Sequence, residues 1–466
     1  MHEIISISAS HRTNHVLTQF YNCQEEQLRD LDFENEPGVF LNPVVDRISK
    51  TVSYKPRALL WDAKTGNGAL GAHQYSSTKD FFYGSENQRP KELLSQTSVK
   101  VIQTHEPTPK SEYQTALDTN NPAPPLSDQN SKYWSDYSKL IFGAPNLNTL
   151  DRWYHDPNNP SAPDFENLHQ TYFDSYEVGF QEFATNYCSE FFDEKLRTQL
   201  EMCDELQGIN LLSEIDNGWG GFSSSMLSNI RDELPKTDVM TWGFNQDDAL
   251  SLGQPIHSTK TKFQKLCSKI RSTLSLVQES NLFFPIYSDP QLPLWTFAGR
   301  TCMLFDAVNA CGSNRESEHR YTFNQMIGKI TSGEPQRNIV STLDIQGLDL
   351  SFYSRIPTYK GSSQKTYSHL SILRGKENQV ADSFSINTYP WRPSDTIPEQ
   401  FRSITNYKTN LAVTERPRDV FRHWEAMVSR YFRYDTDREE LKEELGRLAE
   451  TYEEGWYDDF DSGDDV

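Results

Sequence analysis

The chain has 466 residues, of which 36% are hydrophobic and 12% aromatic, and its formal net charge is −21. This length allows two or three domains with sizeable cores, and the aromatic content favours a folded protein over a disordered one. The acidic charge argues against general binding of nucleic acid, which needs a basic surface, so no direct nucleic-acid partner is expected.

Strand and helix patterns alternate in the N-terminal half of the chain. The β-branched run Glu3–Ala9 predicts a buried parallel strand, and a helix pattern begins near Asn14. The later elements are predicted as a strand at 57–61, a long helix at 183–206, a strand at 209–212, a helix ending near Pro235 and a strand at 239–244. This alternation predicts an α/β fold with a doubly wound sheet.

A proline-rich and asparagine-rich segment at about 66–168 interrupts this pattern. Proline removes backbone donors, so we expect an insertion with partial order. One interpretation is a solvated loop. The other is a segment that docks a partner, because its aromatic side chains would be costly to leave exposed. These are Tyr133, Trp134, Tyr137, Trp153 and Tyr154.

The C-terminal half mixes strand and helix patterns. The stretch 343–353 alternates like one half-buried strand. In the last helix, Thr436 is predicted as the cap and Glu439 as its capping-box partner. One apolar face is predicted from Leu441, Leu445, Leu448 and Tyr452. Residues 435–466 hold 14 acidic and 3 basic side chains, and the part beyond Gly455 is predicted to be disordered.

The six cysteines are scattered, without a C-x-x-C pair or zinc spacing, which is typical of a reducing compartment. His11 and His15 lie four residues apart, a spacing that can hold zinc. They lack a third ligand, so we expect solvated or capping roles and no metal site. No apolar run is long enough to span a membrane, and no signal peptide or Arg-rich presequence is visible.

Four segments, in order along the chain, resemble tubulin. Residues 2–14 resemble its opening strand and first nucleotide loop, and 54–62 the strand leading to its second. Residues 206–235 resemble its glycine-rich phosphate loop with the flanking strand and helices, and 418–424 its C-terminal helices. With the insertion and the loop Asp216–Phe222, these segments make the chain similar to fungal members of the Misato family, which are divergent relatives of tubulin.

The resemblance implies a tubulin-like α/β fold divided into domains. We expect a nucleotide-binding-type domain at 1–260 that carries the insertion at 66–168, and an intermediate α+β domain at 261–415. C-terminal helices at 416–455 and an acidic disordered tail at 456–466 should follow.

The nucleotide loops depart from those of tubulin. Asp216 and Asn217 replace the first two glycines of the phosphate loop, and Trp219 replaces its threonine. An aspartate would repel a phosphate, and a tryptophan would fill space otherwise open to a ligand. In the first loop, Ser10-His11-Arg12-Thr13 stands in place of Gly-Gln-Cys-Gly, although the Arg12 guanidinium could pair with a phosphate.

The second loop and the catalytic loop also differ. Asp62 keeps the first acidic residue of the second loop, but Lys64 replaces the one near magnesium, and an ammonium repels that ion. The stretch 309–320 does not match tubulin's catalytic loop. The resemblance therefore implies a vestigial nucleotide site with no catalytic residue and no metal ligand. Its residues are Ser10, His11, Arg12, Asp62, Gly218, Gly220 and Gly221.

Three interpretations of this site remain open: GTP hydrolysis, GTP binding without metal through Arg12 and Lys64, or glycines that serve only turns around a packed Trp219. We expect no cofactor, with GTP as the alternative.

The family resemblance implies a non-enzymatic role in the partitioning of mitochondria and the inheritance of mitochondrial DNA. The alternative is a GTP-binding, self-assembling protein with weak or no hydrolysis, and a third interpretation is a chaperone-like partner of tubulins. We expect protein partners, cytoskeletal or on the mitochondrial outer surface, which the sequence does not identify. The expected location is the cytosolic face of mitochondria, with a cytoplasmic pool.

Overall fold

A six-stranded parallel sheet forms the centre of the N-terminal part of the protein. Its strands are β1 (Glu3–Ala9), β4 (Ala58–Ala63), β5 (Leu147–Leu150), β8 (Leu206–Glu214), β9 (Asp238–Asn245) and β10 (Leu282–Tyr287). Their order across the sheet is β10-β9-β8-β1-β4-β5. The computed structural model describes residues 2–29, 34–45, 48, 50–71, 108–166, 170–246, 259–356, 364–375, 384–433 and 435–453.

Helices cover both faces of this sheet. The α-helices in the described part of the chain are α1 (His11–Gln27), α2 (Glu112–Asp118), α3 (Tyr176–Glu182), α4 (Cys188–Glu190), α5 (Arg197–Glu201), α6 (Gly218–Glu233), α7 (Thr259–Glu279), α8 (Leu294–Ala310), α9 (Phe323–Thr331), α10 (Glu399–Arg402), α11 (Arg416–Tyr431) and α12 (Arg438–Thr451). Ile4, Ile5 and Ile7 of the central strand β1 are fully buried, as expected for a strand covered on both sides.

The strand register shows which helix lies on which face. Leu60, Ser8, Leu212 and Trp242 align across four strands, so their side chains share one face. On that face the Trp242 ring contacts Phe305 of α8 at 5.0 Å between centroids. Trp61 lies one residue after Leu60, so it points to the opposite face, where it contacts Phe222 of α6 at 5.2 Å. The predicted doubly wound α/β fold is therefore confirmed.

The long helix predicted at 183–206 has different bounds. It begins at Tyr176 and ends at Glu201, and two π-helical turns, Phe183–Tyr187 and Phe191–Leu196, separate α3, α4 and α5. Strand β8 already begins at Leu206. The aromatic rings of Tyr187 and Phe191, one from each of these turns, both contact Trp61 in the sheet.

Much of the predicted insertion is part of the packed fold. Strand β5 pairs with β4 at the edge of the sheet. The side chains of Trp134, Tyr137 and Trp153 are buried. A solvated loop is therefore the wrong interpretation for residues 131–166, although residues 119–130 are mostly exposed. Burial of the aromatic side chains within the chain removes the argument for a docking partner. Residues 72–107 lie outside the described part of the chain.

A second, mixed sheet is built from β11 (Thr342–Ile345), β12 (Leu348–Asp349), β13 (Thr366–Arg374), β14 (Ser385–Thr388) and β15 (Tyr407–Thr414). Its strand order is β12-β11-β15-β13-β14. The prediction of one strand over 343–353 is wrong, because Gln346 and Gly347 have φ angles of 51° and 88° and turn the chain into a hairpin. A fully buried ion pair between Arg374 and Asp306 joins this sheet to α8.

The predicted apolar face of the last helix is confirmed, but its capping box is wrong. Leu441, Leu445 and Tyr452 are buried on that face. The helix starts at Arg438, and its N-cap Asp437 makes no capping hydrogen bond, while the Thr436 hydroxyl donates to Asp437. The predicted acidic tail at 456–466 lies outside the described residues.

The predicted domain boundary at residue 260 falls within the first sheet, because strand β10 follows it in the sequence. The division into domains itself stays a prediction.

Two small antiparallel hairpins accompany the large sheets. Strands β2 (Leu41–Val45) and β3 (Val52–Pro56) form one of them. Two short strands, β6 (Phe165–Glu166) and β7 (Thr171–Tyr172), form the other. Among the described helices, none has the length and apolar character needed to cross a bilayer.

Candidate functional site

The three loops that were predicted to form a nucleotide site meet at the carboxyl edge of the first sheet. They follow β1, β4 and β8, which are neighbours in the sheet, so their C-terminal ends lie side by side. His11 Nδ1 lies 3.0 Å from Asp62 Oδ2, which joins the first loop to the second. Arg12 Nε lies 3.0 Å from Glu214 Oε1 at the end of β8, which joins the first loop to the third.

Helix α1 begins at His11, directly after Ser10 and three residues earlier than predicted. The Ser10 side chain accepts a hydrogen bond from the Thr13 N–H, which caps the helix. Its backbone has φ 139° and ψ 159°, a conformation that only glycine adopts without strain. Ser10, which stands where the tubulin pattern has a glycine, therefore has a backbone conformation that favours glycine, and it stores strain there.

His11 and Asp62 form a buried ion pair. Burial raises the pKa of the Asp62 carboxyl, but the charge of His11 and the hydrogen bond lower it more, so that it lies below its usual value. Burial lowers the pKa of His11, but the charge of Asp62 and the hydrogen bond raise it above its usual value. Asp62 Oδ2 also accepts hydrogen bonds from Asn14 and from Trp134 Nε1. The carboxylate is therefore fully engaged within the chain.

His15 extends this network away from the sheet. Its Nε2 lies 3.2 Å from His11 Nε2, and its Nδ1 lies 2.7 Å from the Tyr137 hydroxyl. Burial and the neighbouring charge on His11 hold the pKa of His15 well below its usual value. The expectation of solvated or capping roles for both histidines is therefore wrong, because both side chains are buried in a hydrogen-bonded chain.

The Arg12 guanidinium donates hydrogen bonds to acceptors within the chain. Its Nε donates to Glu214, and its Nη1 donates to the Ser288 hydroxyl at 2.9 Å. Burial raises the pKa of Glu214, and the Arg12 charge opposes this rise. The Lys64 ammonium lies elsewhere, 3.5 Å from the carbonyl oxygen of Asp151. Both cations therefore have hydrogen-bond acceptors within the chain itself.

The backbone N–H groups of the phosphate loop already have acceptors. The Gly218 N–H donates to the Phe173 carbonyl at 3.0 Å, and the Trp219 N–H donates to Asn217 Oδ1 at 2.9 Å. The Gly220 N–H donates to the Asn217 carbonyl at 3.3 Å. A phosphate-binding helix start offers such groups to the anion, so their pairing within the chain removes three of the donors that a phosphate would use.

The three glycines of this loop allow close packing. A Cβ atom on Gly221 would lie 1.9 Å from the carbonyl oxygen of Tyr176, and one on Gly220 would lie 2.1 Å from the Ser272 hydroxyl. A Cβ on Gly218 would lie 2.8 Å from the Phe173 ring. The glycines thus let α6 approach α3, α7 and the chain before α3, and this close approach accounts for their presence without a ligand.

Side chains from the insertion fill the space over the phosphate loop. Trp219 Nε1 donates to Asp164 Oδ2 at 2.8 Å, and His155 Nδ1 lies 2.8 Å from Asp164 Oδ1. The His155 ring stacks on His11 with 4.0 Å between centroids. Trp219 also packs against Phe173. All five side chains are buried, so the carboxyl edge is closed at this point by the chain itself.

The Asp164 and His155 side chains have shifted pKa values. Burial, together with the charge of Asp62, raises the pKa of Asp164 to about 7. Burial and the charge of His11 lower the pKa of His155 to about 3. At slightly acidic pH both groups are therefore neutral, whereas His11 and Asp62 are charged. The described residues contain no group of three or more side chains suited to holding a metal ion.

Sequence reasoning did not connect several residues of this network to the site. Trp134, His155 and Asp164 come from the insertion, and nothing in their spacing connects them to the loops after β1 and β8. Glu214 could have been found, since an acidic residue at the end of a parallel strand lies at the carboxyl edge of the sheet. The seven residues expected at a vestigial nucleotide site do come together, and their contact with a nucleotide remains a prediction.

Two family models match the chain. The model of the Misato Segment II tubulin-like domain matches residues 2–119, and a tubulin domain model matches residues 123–309. Together they span the first sheet and the insertion, in agreement with the tubulin-like fold predicted from the sequence.

Close relatives cover the whole chain. The sequence is 50% identical to Protein DML1 of Kluyveromyces lactis over 100% of both chains. It is 42% identical to Protein DML1 of Eremothecium gossypii and 29% identical to that of Yarrowia lipolytica, in each case over 100% of both chains. These matches extend through the second sheet and the C-terminal helices.

Proposed function

Because the chain belongs to the Misato family of tubulin-like proteins, we propose that it is a non-enzymatic scaffold in the partitioning of mitochondria and the inheritance of mitochondrial DNA. The observation that supports a scaffold is the closed phosphate loop. The N–H groups of Gly218, Trp219 and Gly220 are paired within the chain, and the buried Trp219 ring occupies the space beside them.

The charges at the closed edge support the same proposal. Asp216 is buried, and its carboxylate accepts a hydrogen bond from the Gln246 N–H at 3.1 Å. Glu214 and Asp164 lie in the same network. A nucleotide triphosphate would have to displace buried side chains and approach several carboxyl groups, and each carboxylate raises the free energy of a nearby phosphate. The Arg12 guanidinium, which could attract the phosphates, already pairs with Glu214.

The mitochondrial part of the proposal rests on the family resemblance. We place the protein at the cytosolic face of mitochondria with a cytoplasmic pool, where it acts through protein partners of the cytoskeleton or the mitochondrial surface. In this proposal the inheritance of mitochondrial DNA follows from the distribution of the organelle, and the protein does not contact DNA.

A second candidate function is a GTP-binding protein that assembles with copies of itself. The observation that favours it is the meeting of the three loops at the carboxyl edge, which is the position where doubly wound sheets bind nucleotides. In this case Trp219 and the insertion would have to move before GTP enters.

Equilibrium binding of labelled GTP, with and without magnesium, distinguishes the two candidates. The scaffold proposal predicts no saturable binding at micromolar GTP and no rise in the melting temperature, since a ligand that binds only the folded state raises apparent stability. Saturable binding accompanied by such a rise would support the second candidate and contradict the scaffold.

A test in fungal cells that lack the endogenous protein addresses the mitochondrial role. The scaffold proposal predicts that the wild-type chain and Lys64→Ala both restore inheritance of mitochondria and of their DNA, because Lys64 serves no phosphate. Lys110→Ala, at an exposed lysine far from the three loops in the sequence, is the matched control. If only Lys64→Ala fails while it remains folded, nucleotide binding regains support. If the wild-type chain does not restore inheritance, the proposed role is wrong.

A further inference from the structure

The hairpin of β2 and β3 carries an exposed apolar end. Val45 and Val52 are register partners in the last pair before the turn, and they are 60% and 52% exposed. Ile48 lies in the turn and is 94% exposed. These three residues are the exposed apolar side chains that the structure describes at the far end of the hairpin, and we call them the hairpin end.

The other end of the hairpin is firmly attached to the protein. Leu41 and Pro56, which pair at the base, are buried. Directly below them, the Arg57 N–H donates to the Phe40 carbonyl at 2.9 Å, and Arg57 Nη1 donates to the carbonyl oxygen of Met202. The hairpin end is therefore presented on a fixed support.

The charge of the hairpin is opposite to that of the protein. Between Leu41 and Pro56 the sequence has one acidic and three basic residues, in a chain whose net charge is −21. The described lysines of this stretch, Lys50 and Lys55, are both exposed. An acidic protein is repelled by an anionic surface except where a basic region faces it, so the charge favours an approach with the hairpin first.

We propose that the hairpin end inserts into the headgroup region of an anionic lipid bilayer. Exposed apolar side chains with basic residues nearby are a combination that binds such a surface, since the apolar atoms leave water while the cations attract the lipid charge. The inference deepens the proposed function and rests on it for the choice of a mitochondrial membrane.

The dimensions of the hairpin agree with this insertion. Lys55 is three residues from Val52, which is about 10 Å along a strand. Interfacial insertion buries apolar groups by about 5–10 Å, so Lys55 lies at the depth of the lipid phosphates when Val45, Ile48 and Val52 are inserted. Lys50 lies near the turn, and its long side chain can keep the ammonium at the same level.

Flotation of the full-length protein with vesicles tests the proposal. We expect binding to vesicles of phosphatidylcholine with phosphatidylserine and much weaker binding to phosphatidylcholine alone. Ile48→Asp should lower the bound fraction about tenfold, because it places a carboxylate where the bilayer receives the apolar surface. Lys55→Glu should also reduce binding, and added salt should weaken the binding of the wild type.

Ile141→Asp is the matched control, because Ile141 is 80% exposed and lies outside the hairpin. It should bind vesicles like the wild type, and all variants should keep the wild-type melting temperature. The proposal is overturned if the wild type does not float with anionic vesicles, or if Ile48→Asp and Ile141→Asp behave alike. It is also overturned if Ile48→Asp abolishes self-association in sedimentation while vesicle binding persists, since the occupant is then a second copy of the chain.

This test is independent of the tests of function. A failure of vesicle binding leaves the measurements of GTP binding and of mitochondrial inheritance untouched. If vesicle binding succeeds while inheritance fails, the hairpin is a membrane surface of a protein whose role has been wrongly proposed.

Discussion

His11 Nδ1 and Asp62 Oδ2 lie 3.0 Å apart in a part of the protein where both side chains are buried. The pair joins the start of α1 to the end of β4, which are 51 residues apart in the sequence. Its charge is balanced within the site, so the two groups stabilise each other and offer no net charge to a ligand. The stability of the protein should therefore respond to substitutions at this pair and around it.

Replacing Asp62 with asparagine should strongly destabilise the protein. The pKa of Asp62 is lowered, so its stabilisation is present above the usual value of 3.8 and is lost as the pH falls through the lowered value. The pKa of His11 is raised, so its stabilisation is present below 6.5 and is lost as the pH rises through the raised value. Urea unfolding at pH 5.5, where both contributions are present, should show a loss of about 3–5 kcal/mol.

Asp164 should affect stability with a pH dependence opposite to that of Asp62, and replacing it with asparagine tests this. The pKa of Asp164 is raised to about 7, so folding takes up a proton between the usual value of 3.8 and 7, and stability falls as the pH rises through this range. The asparagine amide resembles the neutral acid at every pH. Asp164→Asn should therefore be nearly neutral only below pH 3.8, and it should stabilise the protein by about 1–3 kcal/mol more at pH 8 than at pH 5. Equal effects at the two pH values in urea unfolding would contradict the raised pKa.

Replacing Ser10 with glycine should stabilise the protein by about 1 kcal/mol. The strained backbone at Ser10 costs roughly 1–3 kcal/mol, whereas the loss of its cap to glycine costs only a few tenths. Ser111→Gly is the matched control, since Ser111 caps α2 from an ordinary φ of −62° and should only lose stability. Thermal unfolding of the two variants measures the difference, and a lower melting temperature for Ser10→Gly would show that its backbone is not strained.

Adding a methyl group at Gly221 should destabilise the protein by about 1–3 kcal/mol, because the new Cβ would lie 1.9 Å from the Tyr176 carbonyl oxygen. Gly446→Ala is the control within another helix. No atom lies within 4 Å of a Cβ at Gly446, and the change should stabilise by about 0.5–1 kcal/mol through helix propensity. If Gly221→Ala is tolerated in chemical denaturation, the close approach of α3 and α6 does not explain this glycine.

The indole N–H groups of Trp134 and Trp219 should contribute unequally to stability. Trp134 donates to the charged Asp62, whereas Trp219 donates to Asp164, which is neutral at pH 5.5. At this pH Trp134→Phe should cost about 1.5–3 kcal/mol and Trp219→Phe about 1 kcal/mol, as hydrogen bonds to charged groups are stronger. Urea unfolding of both variants compares them, and a larger loss for Trp219→Phe would contradict the assignment of charge.

The sequence was sufficient to predict four of the six strands of the first sheet, β1, β4, β8 and β9, and the meeting of their loops. The apolar run at Glu3–Ala9 and the repeated strand and helix patterns indicate parallel strands, whose carboxyl ends must share one edge. The places of Ser10, Asp62 and Gly218 follow from that rule alone. The resemblance to tubulin added the expectation of a phosphate loop.

Whether the loop glycines serve a ligand or the packing of helices could not be predicted in the same way. A glycine that lets a phosphate approach and a glycine that lets a helix approach look identical in a sequence, since both need only the absence of Cβ. His155 stacks on His11 from 144 positions along the chain, and no local pattern encodes that contact. Polar composition made the insertion look solvated, although its aromatic residues carry enough apolar area to pack against the sheet.

The position of β1 has a consequence for the synthesis of the protein. This strand is made before the other strands of its sheet, and of its two partners β4 follows soon but β8 begins only at Leu206, so one side of β1 must wait for a distant part of the chain. At about 5–20 residues per second this delay is roughly 10–40 s. During that time Ile4, Ile5 and Ile7 are exposed on the nascent chain, and a helper that shields short apolar strands at the ribosome would raise the yield of folded protein.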